Sequence, residues 1–163
     1  MNLALRIART AHHGQVRKFT GLPYLTHCQN VATIACTFEA NCYEVAMLHD
    51  TLEDTDTHYD LLVANFGYQV ADDVVSLTNV PKEAGNRKHR KNLDNLRLAK
   101  ASCIAQTVKL ADILDNVPSM ILHKPDFGMR YLDEKLETLK VLQNANKDLF
   151  KIVRDYLSNL KRG

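Results

Sequence analysis

Residues 48–54 read Leu-His-Asp-Thr-Leu-Glu-Asp, and they follow the apolar segment 45–47. In a helix, residues four positions apart share a face, so His49 would lie beside Glu53 and Asp50 beside Asp54. The apolar segment predicts that this helix is buried. Buried carboxylates that no cation compensates are costly. The stretch therefore predicts a helix that brings a metal ion into the interior of a helical fold.

Helical spacing of apolar residues extends outward from this stretch over nearly the whole chain. The first helix is expected to end near Gly14, and Thr26 is predicted to cap the second helix. Gly67 is expected to separate two helices, and Pro118 to kink or end another. Further helices are predicted over residues 87–99, 102–123, 126–142 and 148–160, and loops over 14–25 and 79–86.

The fold class that these patterns predict is all-α. Strand-like alternation is missing from the sequence and no heptad repeat persists, so a compact orthogonal helical bundle is favoured over a coiled coil. With 163 residues, the chain is expected to form a single domain over residues 1–163. A domain of this size buries roughly two-thirds of its unfolded surface, which is enough for a substantial core.

The charge balance and the apolar pattern argue against several classes of partner. The chain has 21 basic and 19 acidic residues and a formal net charge of +2, which does not favour nucleic acid. No apolar run approaches the length of about 20 residues that spans a bilayer, and the first residues do not resemble a signal peptide. No membrane partner is therefore expected. Four cysteines without a CxxC pair are typical of free thiols, and a cytoplasmic location is predicted.

A metal ion in the predicted interior needs ligands beyond His49 and Asp50. Imidazole and carboxylate together suit divalent ions such as Mn, Fe, Co or Zn. His27 opens the second predicted helix, and Asp112 lies in the middle of the apolar segment 108–114, so both are candidate ligands. Two simpler interpretations stay open at this point: an ordinary buried histidine at His27, and a core carboxylate at Asp112 that a cap or a salt bridge satisfies.

Three motifs of the chain resemble those of a known family. The order His27, His49-Asp50, Asp112 is similar to that of the HD superfamily of metal-dependent phosphohydrolases. The segments 17–27 (RKFTGLPYLTH), 48–55 (LHDTLEDT) and 109–116 (KLADILDN) resemble, in this order, the motifs RK…GxPYxxH, LHDxxEDT and KLADxxxN of the RelA/SpoT hydrolase domain. The chain length is similar to that of a stand-alone small alarmone hydrolase of the metazoan SpoT homologue type.

This resemblance implies an HD-type domain that removes the 3′-pyrophosphate of ppGpp and pppGpp with bound Mn²⁺, or with another divalent transition metal. The implied metal ligands are His27, His49, Asp50 and Asp112. Glu53 and Asp54 would position and deprotonate the attacking water, and Glu53 fits the role of proton acceptor better from its spacing. The implied contacts to a guanine nucleotide substrate are Arg17, Lys18, Asn116 and Tyr131. A homodimer is left open.

Departures from the family pattern leave alternatives. Cys28 follows His27 where relatives often have proline, which should not affect metal binding. Asp115 stands where relatives often carry an aromatic residue or histidine, and an acid there could alter base or sugar preference, so the choice between G and A is left open. The alternative functions are therefore an HD phosphohydrolase acting on another nucleotide, such as ppApp or NADPH, and a non-catalytic nucleotide-binding module. The basic run 87–91 is either a solvated helix face or a surface that steers phosphate.

Overall fold

The computed structural model describes residues 2–162, and most of these residues are helical. The α-helices are α1 (Leu3–Ala11), α2 (Leu25–Phe38), α3 (Tyr43–Leu48), α4 (Thr51–Asp54), α5 (Tyr59–Leu77), α6 (Arg87–Leu98), α7 (Cys103–His123), α8 (Pro125–Leu139) and α9 (Lys147–Arg162), with 3₁₀ turns at Ala40–Cys42 and Lys82–Ala84. Residues 2–162 contain no β-strand, only one antiparallel bridge between Val16 and Pro23. The predicted all-α class is confirmed. Within this range, no helix combines the length and the apolar character that a bilayer crossing requires.

Helix α7 is the centre of the bundle. It packs against α2, α3, α5, α8 and α9. Most of its residues between 105 and 113 are buried, and the side chains of Leu110 and Ile113 are fully enclosed. Truncation of such a side chain to alanine typically costs about 2–5 kcal/mol. Helix α7 is therefore the element against which the other helices, and the side chains they carry, are positioned.

Local sequence signals explain where several helices begin and bend. Asn2 caps α1 by accepting a hydrogen bond from the backbone N–H of Ala4, and Ser102 caps α7 by accepting one from Ala105. Gly67 has a φ of +81°, a conformation that residues with a side chain rarely adopt, and it bends α5 in its middle. This bend lies where two separate helices were predicted.

One predicted helix cap differs from the structure, while the end of another helix agrees with its predicted range of 102–123. Helix α2 begins at Leu25, and Thr26 lies inside it. The Thr26 hydroxyl donates to the carbonyl of Pro23 (2.8 Å) and does not cap the helix. Helix α7 continues through Pro118 to His123 and does not end at the proline. Packing of α7 against α2 and α8 compensates for the backbone hydrogen bond that proline cannot form.

The helix predicted through residues 48–54 is divided into two. Helix α3 ends at Leu48, α4 begins at Thr51, and Asp50 has a φ of −102° and a ψ of −2°. In a continuous helix the Leu48 carbonyl would accept a hydrogen bond from a backbone N–H. Here it accepts from a side chain, since Thr51 Oγ1 donates to Leu48 O (2.7 Å). The bond from Asp54 N to Asp50 O (3.0 Å) is kept, so these two residues still share a face.

Helix α8 approaches the end of α7 closely because Gly128 has no side chain. A Cβ atom at this position would lie 2.7 Å from Ile121 Cα of α7. The close contact brings the next two turns of α8 beside the polar side of α7. Tyr131 and Lys135, which lie on these turns, reach the same cavity as Asp112 of α7.

Candidate active site

The four predicted metal ligands come together although they lie on three separate parts of the fold. His27 is on α2, His49 and Asp50 form the junction of α3 and α4, and Asp112 is on α7. His27 Nε2 lies 3.2 Å from His49 Nε2, 3.4 Å from Asp50 Oδ2 and 3.5 Å from Asp112 Oδ1. His49 Nε2 lies 2.9 Å from Asp50 Oδ2. His27, His49 and Asp50 therefore form a compact cluster of possible ligand atoms, and Asp112 lies beside its His27 side.

The hydrogen bonds of the two histidines test whether a metal ion fits there. His49 Nδ1 lies 2.8 Å from the Ala46 carbonyl, and His27 Nδ1 lies 2.7 Å from Asp115 Oδ2. Both partners only accept, so each Nδ1 carries the proton and each Nε2 turns a lone pair towards the shared point. Two lone pairs and two carboxylate oxygens at this distance repel one another unless a cation lies between them. The residues thus fit a divalent ion with nitrogen and oxygen ligands.

Burial and charge give this point a strongly negative potential. His27 and His49 are almost fully buried, with 1% and 2% of their surface exposed. Burial by itself lowers the pKa of His27, but hydrogen bonds to Asp112, Asp115 and Asp50 outweigh it and raise the pKa to about 11. The carboxylates therefore hold a positive charge at this point, either a proton on an imidazole or a metal ion.

Each carboxylate ligand is fixed by a further side chain. The Tyr24 hydroxyl donates to Asp50 Oδ2 (2.6 Å). Lys109 Nζ donates to Asp112 Oδ2 (2.8 Å), so this lysine is paired within the protein. Asn116 Nδ2 donates to Asp112 Oδ1 (2.6 Å). Such contacts orient metal ligands and are often as important as the ligands themselves.

Glu53 and Asp54 lie beside the ligand cluster and line a cavity of about 250 Å³ that Asp50 and Asp112 also line. Both carboxylate oxygens of Glu53 accept from Asn79, one from its backbone N–H (2.8 Å) and both from its side-chain amide (2.8 Å). Asp54 is not held by Asn79; the Tyr24 hydroxyl, which donates to Asp50, lies close enough to Asp54 to lower its pKa in part. Withdrawal from solvent, together with the charges of Asp50 and Glu53, raises the pKa of Asp54 to about 6.

The residues predicted to contact substrate form one neighbouring group. Arg17 Nη1 donates to Asp115 Oδ2 (2.5 Å), and Arg17 Nη2 donates to Asn116 Oδ1 (3.2 Å). Arg17, Lys18 and Asn116 line a second cavity of about 140 Å³. Asn116 also lines the metal cavity, so the two cavities adjoin, and Tyr131 lines the metal cavity. A larger groove of about 430 Å³ lies elsewhere, beside α1, and contains none of the predicted site residues.

A family model matches most of the chain. The model described as "HD domain" matches residues 4–148. The chain belongs to the HD-domain family. The predicted resemblance is thereby confirmed, and so is the HD-type architecture, since a solved structure of this type superposes on nearly the whole chain.

Relatives of this HD domain come from plants, animals and bacteria. The chain is 35% identical over 145 residues to the probable GTP diphosphokinase RSH3, chloroplastic, of Arabidopsis thaliana. The alignment covers 84% of this chain but only 20% of that protein. It is 35% identical over 126 residues to the guanosine-3′,5′-bis(diphosphate) 3′-pyrophosphohydrolase MESH1 of Drosophila melanogaster, covering 74% of this chain and 69% of that protein. The chain thus spans about a fifth of the plant relative and two-thirds of the insect one.

Two solved structures are similar to this HD domain. One belongs to a metazoan ortholog of SpoT that is described as hydrolysing ppGpp. It has a TM-score of 0.83 and 29% identity, and the alignment covers 98% of this chain and 93% of that chain. The other is a Listeria monocytogenes protein with a TM-score of 0.68 and 23% identity, covering 90% of this chain, and it supports the fold alone.

Several contacts of the HD domain were missed by the sequence analysis. The sequence left open an effect of Asp115 on base preference, but Asp115 accepts hydrogen bonds from His27, Arg17 and Asn30. Its position three residues after Asp112, on the same face of α7, was a signal for this role. Asn79 had no comparable signal, because its contact with Glu53 depends on how the loop folds back.

Proposed function

We propose that this chain, as a single HD domain over residues 1–163, is a metal-dependent hydrolase that removes the 3′-pyrophosphate of ppGpp and pppGpp. The observation that carries the proposal is the cluster of His27, His49 and Asp50, with Asp112 beside His27, next to a cavity that Glu53 and Asp54 also line. The names of the insect relative and of the metazoan structure support the substrate. The proposed metal is Mn²⁺, which suits mixed imidazole and carboxylate ligands.

The reaction adds water to a phosphorus atom of the 3′-diphosphate. The water oxygen bonds to the phosphorus that is attached to the ribose O3′, the bond from that phosphorus to O3′ breaks, and O3′ takes up a proton. The products are GDP or GTP and pyrophosphate. A divalent ion held by His27, His49, Asp50 and Asp112 would lower the pKa of the water and polarise the phosphate.

We assign proton acceptance to Asp54 and the orientation of the water to Glu53. Both oxygens of Glu53 already accept hydrogen bonds from Asn79, which fixes the orientation of this carboxylate and occupies its acceptor positions. Asp54 has a pKa of about 6, so it is mostly ionised at neutral pH and is still basic enough to take a proton. Residue spacing alone favours Glu53 as the proton acceptor, and this assignment gives that role to Asp54 instead.

The nucleoside is proposed to lie in the smaller cavity next to the metal site. Arg17 and Asn116 are held together there, which gives the cavity a fixed pair of polar groups, and Lys18 is exposed at its edge. Asp115 is already bound by His27 and Arg17, so it is not free to contact a base. The Asp115 departure therefore gives no reason of its own to prefer ppApp or NADPH, and guanosine is proposed from the names of the relatives.

The experiment that tests the proposal measures product release. Purified protein is stripped with EDTA, reloaded with Mn²⁺ or with other divalent ions, and incubated with ppGpp, ppApp and NADPH in parallel. We expect pyrophosphate from ppGpp, and no reaction in the stripped protein. Metal-loaded protein that releases no pyrophosphate from ppGpp would contradict the proposal. Orthophosphate from NADPH as the dominant product would assign the chain to the alternative nucleotide class.

A further inference from the structure

Lys135 of α8 is a buried lysine that no carboxylate compensates. Only 7% of its surface is exposed, and it lines the metal cavity. Its Nζ atom lies 4.7 Å from the centre of the Tyr131 ring, a cation–π contact. The hydrogen bonds and ion pairs found within residues 2–162 include none for this ammonium group. Burial of an uncompensated charge is expensive, so this position requires an explanation.

The other cations that line the same cavity are all paired. The pairs are Lys109 with Asp112 (2.8 Å), Lys91 with Asp94 (2.9 Å) and Arg87 with Glu134 (2.6 Å). Their charge is already compensated inside the protein, and their donors are already in use. Among the lysines and arginines of this cavity, Lys135 therefore has the most unused hydrogen-bonding capacity.

The surroundings of Lys135 favour an anion beside it. Burial and the neighbouring charge of Lys109 lower the pKa of Lys135 to about 7, although Asp112 and Glu134 act in the opposite direction. An anion next to the amine would favour its protonated form and supply the missing acceptor. A phosphate group meets both needs because it has several negatively charged oxygens.

We propose that Lys135 binds the terminal phosphate of the diphosphate that is cleaved, and then the same phosphate in the pyrophosphate product. The inference rests on the proposed function, because it places that diphosphate in the cavity between the metal ligands and α8. Lys135 is on this view a binding residue for the diphosphate group that is transferred from O3′ to water. It holds the pyrophosphate at the end of the cavity away from the ribose. There its positive charge compensates negative charge of the phosphate, which the other cations of the cavity do not, because they are paired with carboxylates.

The test measures binding of inorganic pyrophosphate to the metal-loaded protein by titration calorimetry, and KM and kcat with ppGpp. Lys135→Met keeps the length of the side chain and removes the charge. Lys135→Arg keeps the charge, and Lys140→Met removes an exposed lysine near the end of the same helix as a control. Lys135→Gln is a second neutral variant in case the methionine variant does not fold.

Loss of one charge-assisted contact is expected to weaken pyrophosphate binding about tenfold to a hundredfold in Lys135→Met. Lys135→Arg should retain most of the affinity, and Lys140→Met should match the unchanged protein. Tm should not fall in Lys135→Met, because removal of a buried charge without an ion-pair partner offsets loss of the contact with the Tyr131 ring. Unchanged pyrophosphate affinity and unchanged KM in the neutral variants would overturn the inference while leaving the proposed function intact. If the protein binds pyrophosphate through Lys135 but releases none from ppGpp, the proposed function fails while the binding role of Lys135 stands.

Discussion

Asp115 allows the metal site to be weakened without changing any of its four predicted ligands. Its Oδ2 accepts from His27 Nδ1 (2.7 Å) and from Arg17 Nη1 (2.5 Å), and its Oδ1 accepts from Asn30 Nδ2 (2.8 Å). Asp115→Ala removes both acceptor oxygens and with them all three hydrogen bonds. The His27 ring then loses the bond that fixes its orientation and its tautomer. We expect this variant to bind metal more weakly than the unchanged protein.

The size of the effect follows from the kind of contact that is lost. A carboxylate that orients a ligand histidine typically contributes a factor of about 10–100 in metal affinity, or about 1.4–2.7 kcal/mol. The Arg17–Asp115 pair is mostly buried, with 14% and 11% of the two side chains exposed. Its loss leaves a buried guanidinium without its acceptor, which should cost a further 1–3 kcal/mol or so of folding free energy. Metal affinity and Tm should therefore both fall.

The assay is a metal titration against a competing chelator, with Tm measured on the metal-free proteins. Asp115→Asn is the matched control, because an amide oxygen can still accept from His27 and Arg17. We expect the metal affinity to decrease from the unchanged protein to Asp115→Asn and again to Asp115→Ala. If Asp115→Ala binds metal as tightly as the unchanged protein, the argument that Asp115 orients a metal ligand is refuted.

Three further predictions concern residues around the same cavity. His49→Ala should lose metal and lower the stability by about 3–5 kcal/mol, because it leaves Asp50 without its buried partner; calorimetry with and without metal checks both. Glu53→Gln should keep metal, as measured by the same titration, and lower kcat by about 10²–10⁴; a fully active variant would remove Glu53 from the reaction. Asp54 must be deprotonated to accept a proton and has a pKa of about 6, so kcat/KM should fall as the pH drops below about 6. Asp54→Asn should abolish this limb of the profile, and a variant that keeps the limb and the activity would contradict the assignment.

The sequence predicted the metal site better than it predicted the local backbone. Ligand-type residues on apolar segments are rare, so His27 and Asp112 stood out before their positions were known. The family motifs then grouped them with His49 and Asp50. The break between α3 and α4 was not predicted, because it depends on side-chain hydroxyl and imidazole groups that take backbone carbonyls, as Thr51 does with Leu48.

The outer parts of the site depend on contacts between distant segments. Asn79 reaches Glu53 from a loop, and Lys135 reaches the cavity from α8. Neither lies within a motif, and helical spacing gives the face of a helix but not the element that it meets. The close approach of α8 at Gly128 is a further example, since a single glycine in a helix gives no sign of the backbone it touches.

The distribution of the four ligands over α2, the α3–α4 junction and α7 means that a bound ion would act as a cross-link. His27 and His49 are separated by 22 positions in the chain, and Asp112 comes from the central helix. The ion would thus join three parts of the fold as a disulfide joins two, but reversibly. A ligand present at a hundred times its dissociation constant adds about 2.7 kcal/mol to the folding free energy. The fraction of folded protein would then depend on metal supply, so that metal limitation lowers both the activity and the amount of the protein.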